Sequence, residues 1–447
     1  MPQTYFSGYQ PGVAQPRGSA AWYAKARRTD TVLGTASTAG TALLWDGPYR
    51  KTAVASLAYV TGSHNFKTGV QWSYGIYGHS FDANADLIQI YLNRVPTFVD
   101  VSNTPTRSQT DLNAELGVYA QDSWRIKRVT LNAGVRYEKY DVGIPASSAP
   151  AGRFVPARRF PAFPCVPCWT DVVPRFAVAY DLFGNGKTAI KGGIAKFMSG
   201  QRISLTDKYN PLASAREAPA SQLDRRDWRD LNGDDIAQDN EIGPSNNLNF
   251  AAGTRSSRLD PNLQRPDHWQ YTVNMQHELL PGLMIGAEWL RADYRNLFTT
   301  TNQLVGLSDY TSFQTPNPLN NGEIITVYNL NRSKQGQIDL LDTTANPEKT
   351  RRNYQSFAVN FSGRFPGGGT AFGGVNWEQT VDLTCDTVDP NRLRFCDQSG
   401  KQFQELGKSV KAPYLLGMKL SGAQPLPWRF QVGAVFQSTQ GLPISIP

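Results

Sequence analysis

Apolar and polar residues alternate at period two along many segments of the chain. In one segment Val129, Leu131, Ala133, Val135 and Tyr137 alternate with Thr130, Asn132, Gly134, Arg136 and Glu138. Successive side chains of a β-strand point to opposite faces, so the pattern predicts a strand with one apolar and one polar face. The segment from Glu115 to Ile126 alternates in the same way. Only Lys127 and Arg128 separate the two segments, and together they predict a β-hairpin.

The same hairpin unit recurs along the rest of the chain. The further pairs of segments are 52–59 with 66–74, 174–182 with 188–197, 269–279 with 283–289, 354–365 with 370–380, and 414–422 with 428–438. Short turns join the strands within a hairpin. Long polar segments join one hairpin to the next, at about 143–170, 198–267, 298–353 and 381–411. The sequence therefore predicts about a dozen antiparallel strands with short turns at one end and long loops at the other.

Strands of about ten residues with this asymmetry of connections are typical of an outer-membrane barrel. Lipid offers no hydrogen bonds, so a sheet that spans a membrane closes on itself and pairs its own backbone groups. The predicted fold is all-β, a transmembrane antiparallel β-barrel with long extracellular loops. For residues 1–50 the pattern predicts only a poorly defined region of loop and strand. Residues 51–447 are predicted to form the barrel segment. A soluble β-sandwich or propeller remains an alternative on the pattern alone.

Several stretches carry a more specific signal than alternation. They are 59–69 (YVTGSHNFKTG), 116–125 (LGVYAQDSWR) with 131–138 (LNAGVRYE), and 174–189 (PRFAVAYDLFGNGKTA). Together they resemble the barrel domain of TonB-dependent outer-membrane receptors, especially the Oar-like members that carry a carboxypeptidase-regulatory-like domain. The resemblance extends from about Thr52 to the end of the chain. It implies that about 12–14 strands of a 22-strand barrel are present here.

The resemblance also implies a function and a set of partners. A receptor of this kind lies in the outer membrane of a Gram-negative cell and takes up a large nutrient such as a metal chelate, glycan or peptide. The TonB complex drives uptake through a plug domain inside the barrel. No signal peptide, plug or TonB-contacting segment is recognisable in these residues, so we expect a barrel fragment whose plug lies elsewhere. The ligand and the residues that touch it stay unassigned.

Composition and charge narrow the class of partner. The net charge is +8, yet the basic residues are scattered, and the cluster from Lys25 to Arg28 is too short for a nucleic-acid platform. No segment has the 18 or more apolar residues that a membrane-spanning helix requires. We therefore expect membrane lipid rather than nucleic acid as the partner of the apolar face.

An acidic segment within the second long loop matches a calcium-loop template. Asp230, Asn232, Asp234 and Glu241 occupy positions 1, 3, 5 and 12, and calcium prefers six to eight such oxygen ligands. Position 6 is Asp235, where the template has glycine. The sequence thus predicts a structural calcium ion that orders the loop, with a solvated acidic turn as the alternative. No other cofactor is expected.

Four cysteines form two local pairs, Cys165 with Cys168 and Cys385 with Cys396. Both pairs fall in predicted long loops, and loops outside the cell lie in an oxidising compartment. The even count and short spacing predict two disulfides. The Cys165 and Cys168 pair also has redox or metal-binding spacing, although a second such pair or a neighbouring histidine is absent from the sequence around it.

Enzyme activity is not expected. The sequence has no nucleophile elbow, and Asp181 stands where a phosphate-binding loop ending in Gly186-Lys187-Thr188 requires glycine. Carboxylates such as Glu115, Glu138 and Glu278 fall on the polar face, where charge ladders along a barrel lumen are the ordinary role. Two other functions stay open, a passive barrel or surface adhesin, and a soluble all-β glycan-binding module.

Overall fold

The structure is a computed structural model and describes residues 15–37, 42–201, 203–212, 223–245, 247, 250, 257–317, 322–399 and 412–440. Its strands are β1 (Arg27–Asp30), β2 (Thr35–Ser37), β3 (Ala42–Thr61), β4 (His64–Asp82), β5 (Leu87–Leu92), β6 (Val95–Ser102), β7 (Thr106–Ile126), β8 (Val129–Gly143), β9 (Ser147–Ala149), β10 (Arg158–Phe160), β11 (Cys168–Asp181), β12 (Thr188–Met198), β13 (Leu223–Asp227), β14 (Ser257–Leu259), β15 (Asp267–Leu280), β16 (Leu283–Arg295), β17 (Phe298–Asn302), β18 (Tyr310–Pro316), β19 (Ile324–Leu330), β20 (Leu340–Thr344), β21 (Thr350–Arg364), β22 (Thr370–Thr384), β23 (Leu415–Pro425) and β24 (Gln431–Thr439). Three one-turn helices are α1 (Ala20–Ala24), α2 (Ile203–Asp207) and α3 (Pro390–Arg394).

Twelve of these strands form one large antiparallel sheet, the main sheet. Its order is β3-β4-β7-β8-β11-β12-β15-β16-β21-β22-β23-β24, so each strand pairs with its neighbours along the chain. All six predicted hairpins are confirmed, and the all-β antiparallel fold is confirmed with them. Within the described residues the outermost strands, β3 and β24, each pair on one side only, and the sheet is not closed.

The connections alternate as the sequence predicts. Short turns join the two strands of each hairpin at one end of the main sheet, and one of them passes through Gly282 with φ +83°. A side chain at Gly282 would have a Cβ 3.1 Å from the Arg364 carbonyl oxygen, so glycine suits both the conformation and the space. The long connections all lie at the other end. They include residues 83–105, which the pattern did not indicate as a long loop.

The two faces of the main sheet differ in polarity. Val70, Val118, Tyr137 and Val172 stand opposite one another on adjacent strands, and all are exposed. We call this the outer face. The opposite face, the polar face, carries the charged and amide side chains described below. No helix in the described parts of the chain is long and apolar enough to cross a membrane, a finding that does not bear on strands.

The buried core lies mainly in the long connections rather than in the main sheet. These segments fold into a loop layer, in which β13, β6, β5, β1 and β2 form a five-stranded sheet. Leu87, Val99, Val101 and Trp228 pack together there, each no more than 1% exposed. The region before residue 50 contributes α1, β1 and β2 to this layer, and β3 already begins at Ala42.

Candidate functional site

The polar face carries charged and amide side chains in rows that cross neighbouring strands. One row contains Lys191, Asn274, Glu288 and Asn376, on β12, β15, β16 and β22. Lys191 Nζ donates to Gln276 Oε1 at 2.8 Å. This face cannot meet hydrocarbon without a large desolvation penalty, so it faces water or another polar surface.

Arg136 organises the polar face of β8. Its Nε donates to Glu138 Oε1 at 2.8 Å, and its guanidinium lies 6.0 Å from the centre of the Tyr119 ring. Gly117 lies opposite Glu138 on β7, and a Cβ there would collide with the Arg136 guanidinium. The absence of a side chain at Gly117 therefore creates the space in which Arg136 lies. The structure places Glu115, Glu138 and Glu278 on the polar face.

Arg265 connects a long loop to the polar face of the main sheet, which is called the wall below. It precedes β15, and its Nη1 donates to Glu138 Oε2 at 2.9 Å and to Asp171 Oδ2 at 3.3 Å. Its guanidinium lies 5.7 Å from the centre of the Tyr140 ring, and its Nε donates to the Ser199 carbonyl. Glu138 and Asp171 are cross-strand partners, so Arg265 bridges two adjacent carboxylates, and Glu138 is paired with Arg136 as well. The side chain of Arg265 is 8% exposed.

A concave depression of about 710 Å³ lies along the polar face from β4 to β15. Charged and amide side chains dominate its polar lining, among them Lys67, Gln121, Arg136, Glu138 and Arg175. Positive and negative groups are mixed, so the wall suits a hydrophilic surface of mixed charge. The depression is the candidate contact surface, or path, for a molecule or domain that lies against the polar face.

A buried carboxylate holds two of the long connections together. Asp342 on β20 is 3% exposed, and its carboxylate accepts hydrogen bonds from Lys208 Nζ at 2.7 and 2.6 Å. Thr300 and Tyr209 also donate to it. Burial and the adjacent Asp342 carboxylate raise the pKa of Tyr209, so its hydroxyl keeps its proton and donates it. The loop layer is thus tied internally by a satisfied polar cluster.

The predicted calcium segment forms a tight loop in which its carboxylates cap backbone groups. Asp230 accepts from the amides of Gly233 and Asp235 at 2.8 and 2.9 Å, and Glu241 accepts from the amide of Leu231 at 2.8 Å. Asp235 has φ +62°, so the turn that the template assigns to glycine forms with aspartate. Within the described ranges no group of three or more His, Cys, Asp or Glu side chains is arranged to hold a metal ion. Calcium binding stays a prediction.

The loop also docks onto the core of the loop layer. Tyr91 donates its hydroxyl hydrogen to Asp235, and the pKa of Tyr91 is raised by burial and by that carboxylate. Arg28 pairs with the same carboxylate, with Nε 3.2 Å from Oδ2. The Asn232 side chain donates to Asp234 Oδ2 at 3.0 Å.

Both predicted cysteine pairs are adjacent in space. The Cα atoms of Cys385 and Cys396 are 4.9 Å apart, and those of Cys165 and Cys168 are 5.2 Å apart. Both separations lie within the range that disulfides span. The bonds themselves stay a prediction that thiol chemistry tests.

No sequence pattern indicates the residues that hold the long loops to the wall and to one another. Arg265 and Asp342 lie in segments without periodicity, and their partners are 42 to 134 residues away. A single basic residue before a proline, or a single acid in the sequence Leu-Leu-Asp, carries no local signal of such contacts. Only the folded loop layer brings them together.

The twelve-stranded sheet with one apolar and one polar face defines a class of protein, a membrane β-barrel wall. The chain belongs to the outer membrane beta barrel domain family, whose model matches residues 30–391. The outer-membrane location predicted from the sequence is therefore confirmed. A search of curated proteins finds no significant match.

The chain is similar to solved structures of several transporters and receptors. They include the outer membrane transporter YddB from Escherichia coli (10% identity, 89% of this chain and 44% of that chain, TM-score 0.45). The siderophore receptor PiuA from Acinetobacter baumannii is similar too (11%, 88% and 46%, 0.44), as is the FrpB iron transporter from Neisseria meningitidis (8%, 87% and 43%, 0.43). The chain spans less than half the length of these proteins.

Proposed function

We propose that the chain is the barrel wall of a TonB-dependent outer-membrane receptor that takes up a large hydrophilic nutrient. The observation that carries the proposal is the mixed-charge polar face with its depression of about 710 Å³. Such a face on a membrane sheet needs a polar occupant. A plug domain supplies one, and a hydrophilic ligand passes between plug and wall when the plug moves.

The loop layer supports capture of a ligand from outside the cell. Its described residues have their own hydrophobic core and a polar cluster around Asp342, and they therefore present a shaped surface. Arg265 and its two carboxylate partners fasten that layer to the wall. The ligand class, whether metal chelate, glycan or peptide, is left to experiment.

A passive barrel or surface adhesin is the second candidate. The folded loop layer favours it as well, because an adhesin needs a stable extracellular surface and no energised cycle. The two functions differ in their energy requirement, and they differ in whether a plug accompanies the barrel.

Uptake measured in cells separates the two candidates. Strains with and without the complete coding region are given a labelled ferric chelate, a labelled oligosaccharide and a labelled peptide, each with and without a protonophore. An energised receptor predicts that uptake of one probe requires the coding region and stops with the protonophore. Uptake that persists with the protonophore, or surface binding without uptake, contradicts the proposal and supports the passive candidate.

The coding DNA on both sides of Met1 and Pro447 offers a simpler first test. The proposal predicts a plug-encoding segment upstream and further alternating strands in frame. Stop codons close to both ends would contradict it, because these residues alone could not assemble a plugged receptor.

A further inference from the structure

A groove lies on the outer face of the main sheet, between β16 and β21 near the long loops. It consists of two adjoining cavities of about 190 and 480 Å³. Arg291, Arg351 and Asn353 line both cavities. Thr344, the last residue of β20, and Pro347, from the segment before β21, line the larger one.

The groove begins where the apolar part of the outer face ends. Val273, Trp289, Phe357 and Trp377 form an apolar row across four strands. The next row toward the long loops contains Tyr271, Arg291, Gln355 and Gln379, on the same face. Consecutive rows are about 7 Å apart along a strand. The groove therefore lies at the level of lipid headgroups if the apolar row lies in hydrocarbon.

The groove has more cationic than anionic groups. Arg291 is paired with Asp293, with Nη2 3.0 Å from Oδ1. Arg295 lies on the same face with its guanidinium 5.7 Å from the centre of the Trp269 ring. Among the residues that the structure describes, no carboxylate lies within ion-pair distance of Arg295 or Arg351. Both arginines are exposed. Three guanidinium groups thus share one carboxylate.

The nearby acidic residues Asp267 and Asp382 do not neutralise Arg295 or Arg351. Asp267 stands opposite Arg295 on β15, but it is 4% exposed and accepts a hydrogen bond from Asn296 Nδ2 at 2.9 Å. Arg352, on the polar face, is paired with Asp382 at 2.8 Å. The unpaired positive charge is therefore confined to the outward side, next to lipid rather than inside the barrel.

We propose that this groove binds a phosphate group of a lipid headgroup in the outer leaflet. Guanidinium groups match phosphate oxygens in geometry and charge. The apolar row below the groove provides a surface for the acyl chains of the same molecule, which favours a lipid over a free phosphate ion. The inference rests on the outer-membrane location and is independent of energised uptake.

Lipid binding to the folded chain tests the inference. The chain in a non-ionic detergent is titrated with fluorescent diphosphorylated lipid A, and with the same lipid after removal of its phosphates. We expect binding of the phosphorylated lipid only. The double variant Arg295→Gln/Arg351→Gln should weaken binding at least about tenfold, because two charge-assisted contacts are lost. The matched control Arg125→Gln/Arg364→Gln removes the same charge at the short-turn end and should bind within about twofold of the unchanged chain.

The inference would be overturned by equal binding of the dephosphorylated lipid, by an equal loss in the control variant, or by displacement of the lipid by inorganic phosphate at matching concentration. Heat-modifiable migration in gels checks that each variant folds. If the glutamine variant does not fold, Arg295→Lys/Arg351→Lys replaces it. The lysine variant keeps the charge without the planar fork, so it should bind two- to tenfold more weakly than the unchanged chain, and unchanged affinity for it would also contradict the inference.

Discussion

Replacing Arg265 with alanine should release a long loop from the barrel wall. The change removes the hydrogen bonds from Nη1 to Glu138 and Asp171, at 2.9 and 3.3 Å, and leaves these cross-strand carboxylates without their shared cation. All three side chains are less than a quarter exposed, at 8%, 22% and 14%. Breaking a pair of this kind costs about 3 kcal/mol in the free energy of unfolding, because the remaining charges stay partly desolvated.

The assay is denaturant unfolding of the detergent-folded chain, followed by tryptophan fluorescence. Trp169 reports on the relevant loop, because its indole Nε1 donates to the Leu263 carbonyl at 2.8 Å. Arg258→Ala is the matched control. Its pair with Asp339 is short, at 2.6 Å, but 48% and 28% exposed, so it should cost less than about 1 kcal/mol. Equal losses for the two variants, both below about 1 kcal/mol, would show that burial does not make the Arg265 network strong.

Two further predictions concern the long loops. A hundredfold excess of Ca²⁺ over its dissociation constant should stabilise the chain by about 2.7 kcal/mol, measured as a rise in the unfolding midpoint. Asp230→Ala should abolish this rise, and the control Glu348→Gln, in another loop, should leave it unchanged. If Ca²⁺ does not raise the midpoint of the unchanged chain, the calcium prediction is contradicted. Without a reducing agent, the denatured chain should not react with a thiol reagent, and four labelled thiols would contradict both cysteine pairings. Cys385→Ser/Cys396→Ser should lower the free energy of unfolding by about 2–3 kcal/mol, as expected for a disulfide that joins cysteines 11 residues apart.

The sequence predicted the strands of the main sheet because each face of those strands has its own environment. Val135 and Arg136 are neighbours with opposite surroundings, and such alternation is local information. The hairpin of β5 and β6 was missed for the opposite reason. Leu87, Gln89 and Ile90 are all buried there, so the period-two pattern is lost. Its turn at Asn93 and Arg94 has positive φ at both residues, a hairpin signal that the pattern alone does not show.

The candidate site residues also differ in whether a local sequence pattern indicates them. The polar face follows from alternation, and Glu115, Glu138 and Glu278 lie on it as expected. The roles of Arg265 and Asp342 depend on how separate loops pack, which no local pattern encodes. The outward position of Arg351 follows only from strand register, since its own neighbours on both sides are polar or charged.

One face of the main sheet meets lipid while the other does not, and paired arginine substitutions on one strand measure this difference. Val135 lies on the outer face of β8, and Asn132 lies on the polar face of the same strand. In lipid vesicles, Val135→Arg should lower the free energy of unfolding by about 2–4 kcal/mol and Asn132→Arg by less than about 1 kcal/mol. Equal costs, or a larger cost for Asn132→Arg, would show that the outer face is not the face that meets lipid.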